Sequence, residues 1–490
     1  MLTVTEIKHF IDDDITSERK RRAKEGQRYA EGIHDILQNR LFYFNADGKL
    51  VEDSFRTNIK ICHPFFMELA EQLPAYMLSF KENPIRAKEN VEHLQEYLDD
   101  YFDDEFWTEI GEFIGGAYTK GFEYLYAKKN DQNKLVFECA DSIGVVEVRA
   151  KDTDDHCEYV IYWYIDRIEK GKKEIKRILV WSEKEVAYFV QKGNGAIELD
   201  KNEPINPRPH FIYTDTETGK QTGGNLGKIP FWRLDNNKKR QSGLKPIKGL
   251  IDDYDRMQCG LSNNLTDFDT PLYFVTGYPG TDLDELQQNL KTKKIVSTPD
   301  SEGGIEVNTV SIPYEARKVK AEEDEKNIYR FGMGFNSSQV GDGNITNIVI
   351  LSRYTPLELK AAKMEKRLRK LLKDLCIEVL KEINEENNTG FEMSDIEFDF
   401  KRDIPTNETE NIQNERIKAE TEQIKINTVL MIAAQIGDEE ALKLICDELD
   451  LNYDELKGQA EKLQEEKKTA EAIKTLNGVV TEEETPIDNE

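Results

Sequence analysis

Apolar residues recur every three or four positions at Leu357, Ala361, Met364, Leu368, Leu371, Leu375, Val379 and Ile383. That spacing puts them on one stripe and predicts a long helix that buries a single face. Thr355, Pro356 and Glu358 read as its N-cap, first helical position and capping-box acid, so the helix is expected to begin there and to end near Asn387. Such a rod spans roughly 50 Å. Upstream, residues 314–335 also read as a helix, but one with few apolar positions and many charges, among them Arg317, Lys318, Lys320, Glu322, Glu323, Asp324, Glu325, Lys326 and Arg330. Between the two lies a run of small and polar residues from Asn336 to Asn344, followed by residues 345–351.

The rest of the chain changes period twice. Residues 3–44 are expected to be helical, opening on the capping-box pair Thr3 and Glu6, with a turn at Asn45-Ala46-Asp47-Gly48. Ile61, Phe65, Phe66, Leu69, Leu73, Met77 and Leu78 predict a helix over 58–80. Residues 97–126 are dense in aromatics, a stripe that reads as core. From about 135 to 230 short alternating runs predict strands, for example Val145-Val146-Glu147-Val148 and Tyr159 to Tyr164. The N-terminal half is therefore expected to be α+β, helices first and an antiparallel sheet after. A Gly-rich stretch at 222–228 reads as a linker to a one-faced helix over 244–268. An insert of mixed strands with a short helix near Asp284 precedes the charged helix. A strand at 395–400, helices over 407–465 and an acidic, Thr-rich, disordered tail complete the chain.

Composition narrows the function. Sixty-seven Lys and Arg against 95 Asp and Glu give a net charge of −28. This disfavours tight non-specific binding to nucleic acid or to anionic membranes. The basic run Arg19-Lys20-Arg21-Arg22 reads as a solvated helix face. No apolar run reaches the ~20 residues that cross a bilayer, and no signal-peptide pattern opens the chain, so a soluble intracellular protein with no membrane partner is expected. The six cysteines form no C-x-x-C pair, and the six histidines show no H-x-x-x-H or H-E-x-x-H spacing, so neither a metal nor a cofactor is expected. Residues 223–228 lack the first Gly and the hydroxyl of a phosphate loop, and Gly332-Met333-Gly334 follows a helix where a dinucleotide motif needs a strand. No G-x-S-x-G elbow occurs. No catalytic residue is assigned and the chain is expected not to be an enzyme.

The order of these elements resembles the SPP1-type portal proteins of tailed bacteriophages. The similarity runs over about residues 20–460. It is carried most by Ile229-Pro230-Phe231-Trp232, by Leu244-Lys245-Pro246-Ile247-Lys248-Gly249-Leu250-Ile251-Asp252-Asp253-Tyr254-Asp255, by Leu272 to Tyr278, and by the loop-to-rod passage 336–363. The resemblance implies a ring-forming α+β subunit with a wing, a two-helix stem, a small α/β clip, a long spine helix and a helical crown. It assigns 1–241 to an N-terminal arm and wing, 242–268 and 313–335 to the stem, 269–312 to the clip, and 336–353 to a tunnel loop. Residues 354–388 become the spine, 389–406 a wing strand, 407–465 the crown and 466–490 the tail.

It also implies a closed homo-oligomer, usually of twelve subunits, at one capsid vertex of the virion, assembled in the bacterial cytoplasm. Double-stranded DNA would pass without sequence readout during packaging and ejection. The implied partners are the terminase large subunit, a head-completion or adaptor protein, and capsid and scaffolding proteins. Tunnel-loop residues facing DNA would be Asn336, Ser337, Ser338, Gln339, Asn344, Thr346 and Asn347, with Thr346-Asn347 standing where the family commonly has a Ser-Gly pair. Lys318, Glu322, Glu325, Lys326 and Arg330 would line the channel, and Tyr278, Asp282, Asp284, Glu285, Lys291 and Lys293 would form the clip's docking surface. The competing readings are a magnesium-dependent nucleic-acid enzyme built on paired acids and a cytosolic scaffold using the long helix as a coiled coil, although the stripe is short for the latter.

Overall fold

Thr3 and Glu6 cap each other as the sequence predicts. Thr3 Oγ1 accepts from the Glu6 amide at 3.3 Å and Glu6 Oε2 accepts from the Thr3 amide at 2.8 Å, which starts helix α1 (Val4–Thr16). The computed structural model describes residues 1–54, 56–89, 91–130, 132–151, 156–169, 173–214, 221–267, 272–276, 304–308, 313–336, 347–402, 408–448 and 453. The predicted helix over 3–44 is broken: Ser17 turns extended, ends α1, and caps α2 (Glu18–Ala30) by accepting from the Lys20 amide at 3.3 Å. A 3-10 turn at Asp35–Gln38 follows, then a hairpin of β1 (Phe42–Phe44) and β2 (Leu50–Glu52) around the predicted turn.

Lys20 departs from the solvated face expected of the basic run. It is 1% exposed, its Nζ pairs with Asp14 at 3.0 Å, and it donates to the carbonyls of Val145 at 2.7 Å, Ile143 at 3.2 Å and Ser142. One lysine thus ties both N-terminal helices to the sheet.

Helix α3 (Phe65–Met77), strand β3 (Ile85–Ala87) and helices α4 (Leu94–Tyr101) and α5 (Asp104–Lys120) come next. Asp103 caps α5 by accepting from the Phe106 amide at 2.9 Å, and Gly121 ends it at φ 95°. The aromatic stretch is core as predicted: Tyr101, Phe102, Phe106, Phe113, Tyr118, Phe122 and Tyr124 are all buried. The helix α2 lies so close to α5 that a Cβ on Gly26 would come within 2.0 Å of the Thr119 carbonyl oxygen.

Most of the described strand region forms two antiparallel sheets. One joins β4 (Phe122–Lys129) centrally to β5 (Leu135–Ala140) and to the later β14 (Phe231–Asp235). The other runs from β6 (Val145–Val148) through β7 (Tyr159–Glu169), β8 (Lys173–Trp181) and β9 (Glu185–Lys192) to β10 (Ile197–Leu199), with β11 (Arg208–Pro209) also on β9. Strands β12 (Phe211–Thr214) and β13 (Gln221–Gly224) pair with each other, so part of the stretch read as a linker is strand.

Helix α6 (Lys248–Asp267) follows, then strands β15 (Leu272–Thr276) and β16 (Gly304–Asn308), which pair at the base of the insert. Helix α7 (Tyr314–Gly332), the 41-residue helix α8 (Asn347–Asn387) and β17 (Ile396–Phe398), which pairs with β3, complete the order up to residue 402. The contacts divide the chain into residues 1–342 with 351–404, and residues 343–350 with 405–490. In the second unit α9 (Glu408–Ile436) and α10 (Asp438–Glu448) pack on each other. The insert's predicted short helix and the tail lie outside the described residues.

All eight positions of the predicted α8 stripe are buried in the first unit's core, joined by Leu372, Cys376 and Leu380. Its predicted start is wrong. Thr355 and Pro356 are inside the helix, and the Thr355 hydroxyl donates to the Leu351 carbonyl at 3.0 Å rather than capping. A Thr-Pro-x-Glu pattern fits either place, because a threonine hydroxyl can bond back one turn within a helix. Proline there removes one backbone bond, a cost of about 3 kcal/mol, which the buried stripe beyond it offsets.

Residues 57–63, of which 58–63 read as the opening of a helix, run extended along α6. The amides of Ile59, Ile61 and His63 donate to Asn263 Oδ1 at 2.7 Å, Cys259 Sγ at 3.2 Å and Asp255 Oδ1 at 2.9 Å, and the Thr57 hydroxyl donates to Asp267. Two extended residues advance about 6.6 Å and four helical residues about 6.0 Å, so this zipper stays in register. Pro64 holds His63 out of the helical region, and α3 starts only at Phe65.

Candidate functional site

Helices α6 and α7 pack side by side through charge as well as apolar contact. Lys320 Nζ reaches Asp253 Oδ2 on α6 at 2.9 Å and also binds Asp324 one turn along α7. Hydrogen bonds to Asp324 and Asp253 raise the Lys320 ammonium above its usual range. Tyr254 of α6 packs edge-on to His63 at 4.8 Å and to Phe65 at 4.9 Å.

The two halves of α7 differ. Its N-terminal half is largely exposed, as the scarcity of apolar positions predicts, but Ile328, Tyr329 and Gly332 are buried, and the Tyr329 hydroxyl donates to Glu68 on α3. Lys318, Glu322, Lys326 and Arg330 succeed one another at i, i+4 spacing and are all exposed, so they share one face. Glu325 lies off that row, half-buried, where it accepts from Asn336 Nδ2 at 3.1 Å.

The end of α7 is a packed stop. Met333 takes the left-handed conformation at φ 53°, and the Gly334 amide donates to the Tyr329 carbonyl at 3.0 Å, a Schellman closure. Cβ atoms on Gly332 and Gly334 would fall 2.7 and 2.0 Å from the methyls of Leu69, so both positions need glycine unless Leu69 moves. The Gly-Met-Gly sequence is therefore a close helix–helix approach.

Beyond it, Gln72 of α3 grips Phe335 at both backbone groups, donating to its carbonyl at 2.7 Å and accepting from its amide at 2.9 Å. The Phe335 ring stacks on Tyr354 of α8 at 4.5 Å and 12°, and Tyr354 in turn stacks on Tyr76 at 5.7 Å. Lys360 of α8 donates to the Gly332 carbonyl at 3.0 Å with its ammonium 4.1 Å from the Tyr118 ring. Residues 335 and 354, the two feet of the segment between α7 and the buried part of α8, are thus clamped together on α3.

Of the predicted loop residues, Asn336 sits at this clamp and Asn347 is the first residue of α8; Ser337, Ser338, Gln339, Asn344 and Thr346 lie outside the described residues. The expected loop over 336–353 is shortened, because helix begins at Asn347. The clip residues Tyr278, Asp282, Asp284, Glu285, Lys291 and Lys293 also lie outside the described residues. Sequence reading missed Gln72, Tyr354 and Lys360. Each looks like an ordinary helical polar or aromatic residue, and only the crossing of three helices gives it a role. Among the described residues one set of metal-ligating side chains converges, His34, Cys62 and Asp255.

A charged helix pair, a clamped connecting segment and a long helix with one buried stripe follow one another in this order. The chain belongs to the family described as "Phage portal protein, SPP1 Gp6-like", which matches residues 9–472. The portal protein of Bacillus phage SPP1 is 24% identical over 346 residues, covering 70% of this chain and 66% of that relative. The portal protein of Clostridium phage phiCD119 is 35% identical over 145 residues, 29% of this chain and 32% of that relative. The chain thus spans just under two thirds of the first relative and about a third of the second. No described helix is long and apolar enough to cross a membrane.

Proposed function

We propose that this chain is the subunit of a phage portal, a closed ring of twelve copies at one capsid vertex through which double-stranded DNA enters and leaves. The observation that carries the reading is the family match over residues 9–472. In a ring each subunit presents two different surfaces to its neighbours and the rotation must close. Helices α6 and α7 form the stem, the insert on β15 and β16 the clip that meets the terminase large subunit and later the head-completion protein. The N-terminal helices and sheets form the wing toward capsid and scaffolding proteins, α8 the spine, and α9 with α10 the crown. The subunit itself catalyses nothing and takes no catalytic cofactor.

The exposed row of Lys318, Glu322, Lys326 and Arg330 faces the channel. Mixed signs along it, in a chain of net charge −28, neutralise few phosphates, so DNA is held weakly and slides. The segment after Asn336 contacts the DNA backbone with uncharged side chains. The Phe335–Tyr354 stack passes its displacement to both stem and spine.

The test is complementation of a phage lacking its own portal gene, with packaged DNA as readout. Deleting residues 338–345 is expected to leave proheads intact but abolish packaging; undiminished packaging would overturn the assigned role of that segment.

A further inference from the structure

Three distant pieces of chain bring polar side chains together beside α6. His34 follows α2, Cys62 and His63 end the extended stretch, and Asp255 lies in the middle of α6. His34 and Asp255 have fully buried side chains, with His34 Nδ1 at 2.6 Å from Asp255 Oδ2. His63 Nδ1 is 2.8 Å from Asp255 Oδ1, and the His63 side chain is 30% exposed. Donor atoms of His34, Cys62 and Asp255 all lie within 4.8 Å of one another. The Tyr29 ring covers His34 in a stack at 4.5 Å and 12°.

Both imidazoles meet Asp255 through Nδ1, so an ion shared by these side chains is held on the Nδ1 side of His34; His34 Nε2, across the ring, is buried without a hydrogen-bond partner among the described residues.

We propose that His34, Cys62 and Asp255, with His63 at the open edge, bind a zinc ion. A set of imidazole, thiolate and carboxylate is zinc's, and the thiolate selects against magnesium and calcium, which take oxygen ligands. Tetrahedral zinc with bonds of about 2.0–2.3 Å holds its ligand atoms roughly 3.3–3.8 Å apart, so closure needs shifts of about an ångström. His63, partly exposed, gives the ion an entrance. Binding displaces the protons of the Cys62 thiol and of the imidazole–carboxylate contact to solvent. The ion would rivet the N-terminal arm and the extended stretch to α6, at the end of the backbone zipper. This inference does not depend on the portal reading.

The test uses the full-length chain, stripped with chelator, reloaded with zinc and dialysed, with metal content measured by mass spectrometry and Co(II) substitution followed by absorption. One zinc per chain, a thiolate-to-cobalt charge-transfer band, and a rise in melting temperature on zinc addition are expected. Cys62→Ser should lose all three while Cys157→Ser keeps them. Asp255→Asn should weaken binding at least tenfold, and circular dichroism identifies any variant that fails to fold, in which case Cys62→Ser decides. Absence of retained zinc in the wild type, or binding unchanged in folded Cys62→Ser, would overturn the proposal.

Discussion

Two lysines show how burial decides what a charged residue does. Lys20 is expensive to desolvate, and burial lowers its pKa below the usual lysine range. It remains because Asp14 and the carbonyls of residues 142, 143 and 145 surround it. Lys20→Ala would orphan all of them, and a loss of about 3–5 kcal/mol is expected by urea unfolding. A cost below about 1 kcal/mol would mean that the inward lysine is dispensable.

Lys360 has a different balance. Burial pushes its ammonium down to about 7 from the ordinary 10.5. Between those values the unfolded chain holds a proton that the folded chain lacks, so stability rises with pH through the window and falls as pH drops toward 7. The wild type should gain about 1–2 kcal/mol between pH 7 and pH 9 relative to Lys360→Met, after allowance for partial solvation. Parallel urea midpoints at the two pH values check this; identical slopes for the two proteins would contradict it.

At the scale of elements, periodic signals were legible, whereas of the punctuating ones the Thr3–Glu6 cap and the turn at 45–48 were read and others were not. The stripe from Leu357 to Ile383, the aromatic core of α5 and the alternating strands could be read directly, because a buried face imposes its period over many residues. Boundaries turned on local geometry with two solutions. Ser17 could continue a helix or cap one, Thr355 could cap or bond back, and residues 58–63 carry a helical pattern that Pro64 and the α6 side chains override. The exposed row on α7 was legible from its charge. The clamp under the connecting segment was not, since Gln72, Phe335 and Tyr354 are separated by up to 282 residues (354 − 72). The His34, Cys62 and Asp255 cluster escaped for the same reason, having no fixed spacing.

The clamp makes its own prediction. Phe335→Ala removes the stack on Tyr354 while sparing the stem face. Limited proteolysis should then cut within residues 336–346 several-fold faster than in the wild type, because the feet of the segment are no longer held. Unchanged cleavage would show that the stack does not restrain it.

For the whole molecule, charge bears on the proposed role. With 95 acidic against 67 basic residues, a portal of this sequence should bind DNA weakly and lose what affinity it has at modest salt. Glu322→Lys adds a cation to the exposed row and should strengthen duplex binding in low salt and steepen its salt dependence by about one unit per phosphate engaged. An unchanged slope in filter binding would place that row away from DNA.

The proposed portal role requires that the chain closes into a ring. Native mass spectrometry of the purified full-length chain, paired with negative-stain imaging, measures this directly. A single species near twelve times 56.7 kDa, imaged as a ring with a central hole, is the expected result. A monomer or dimer with no annular particles at any protein concentration would contradict it.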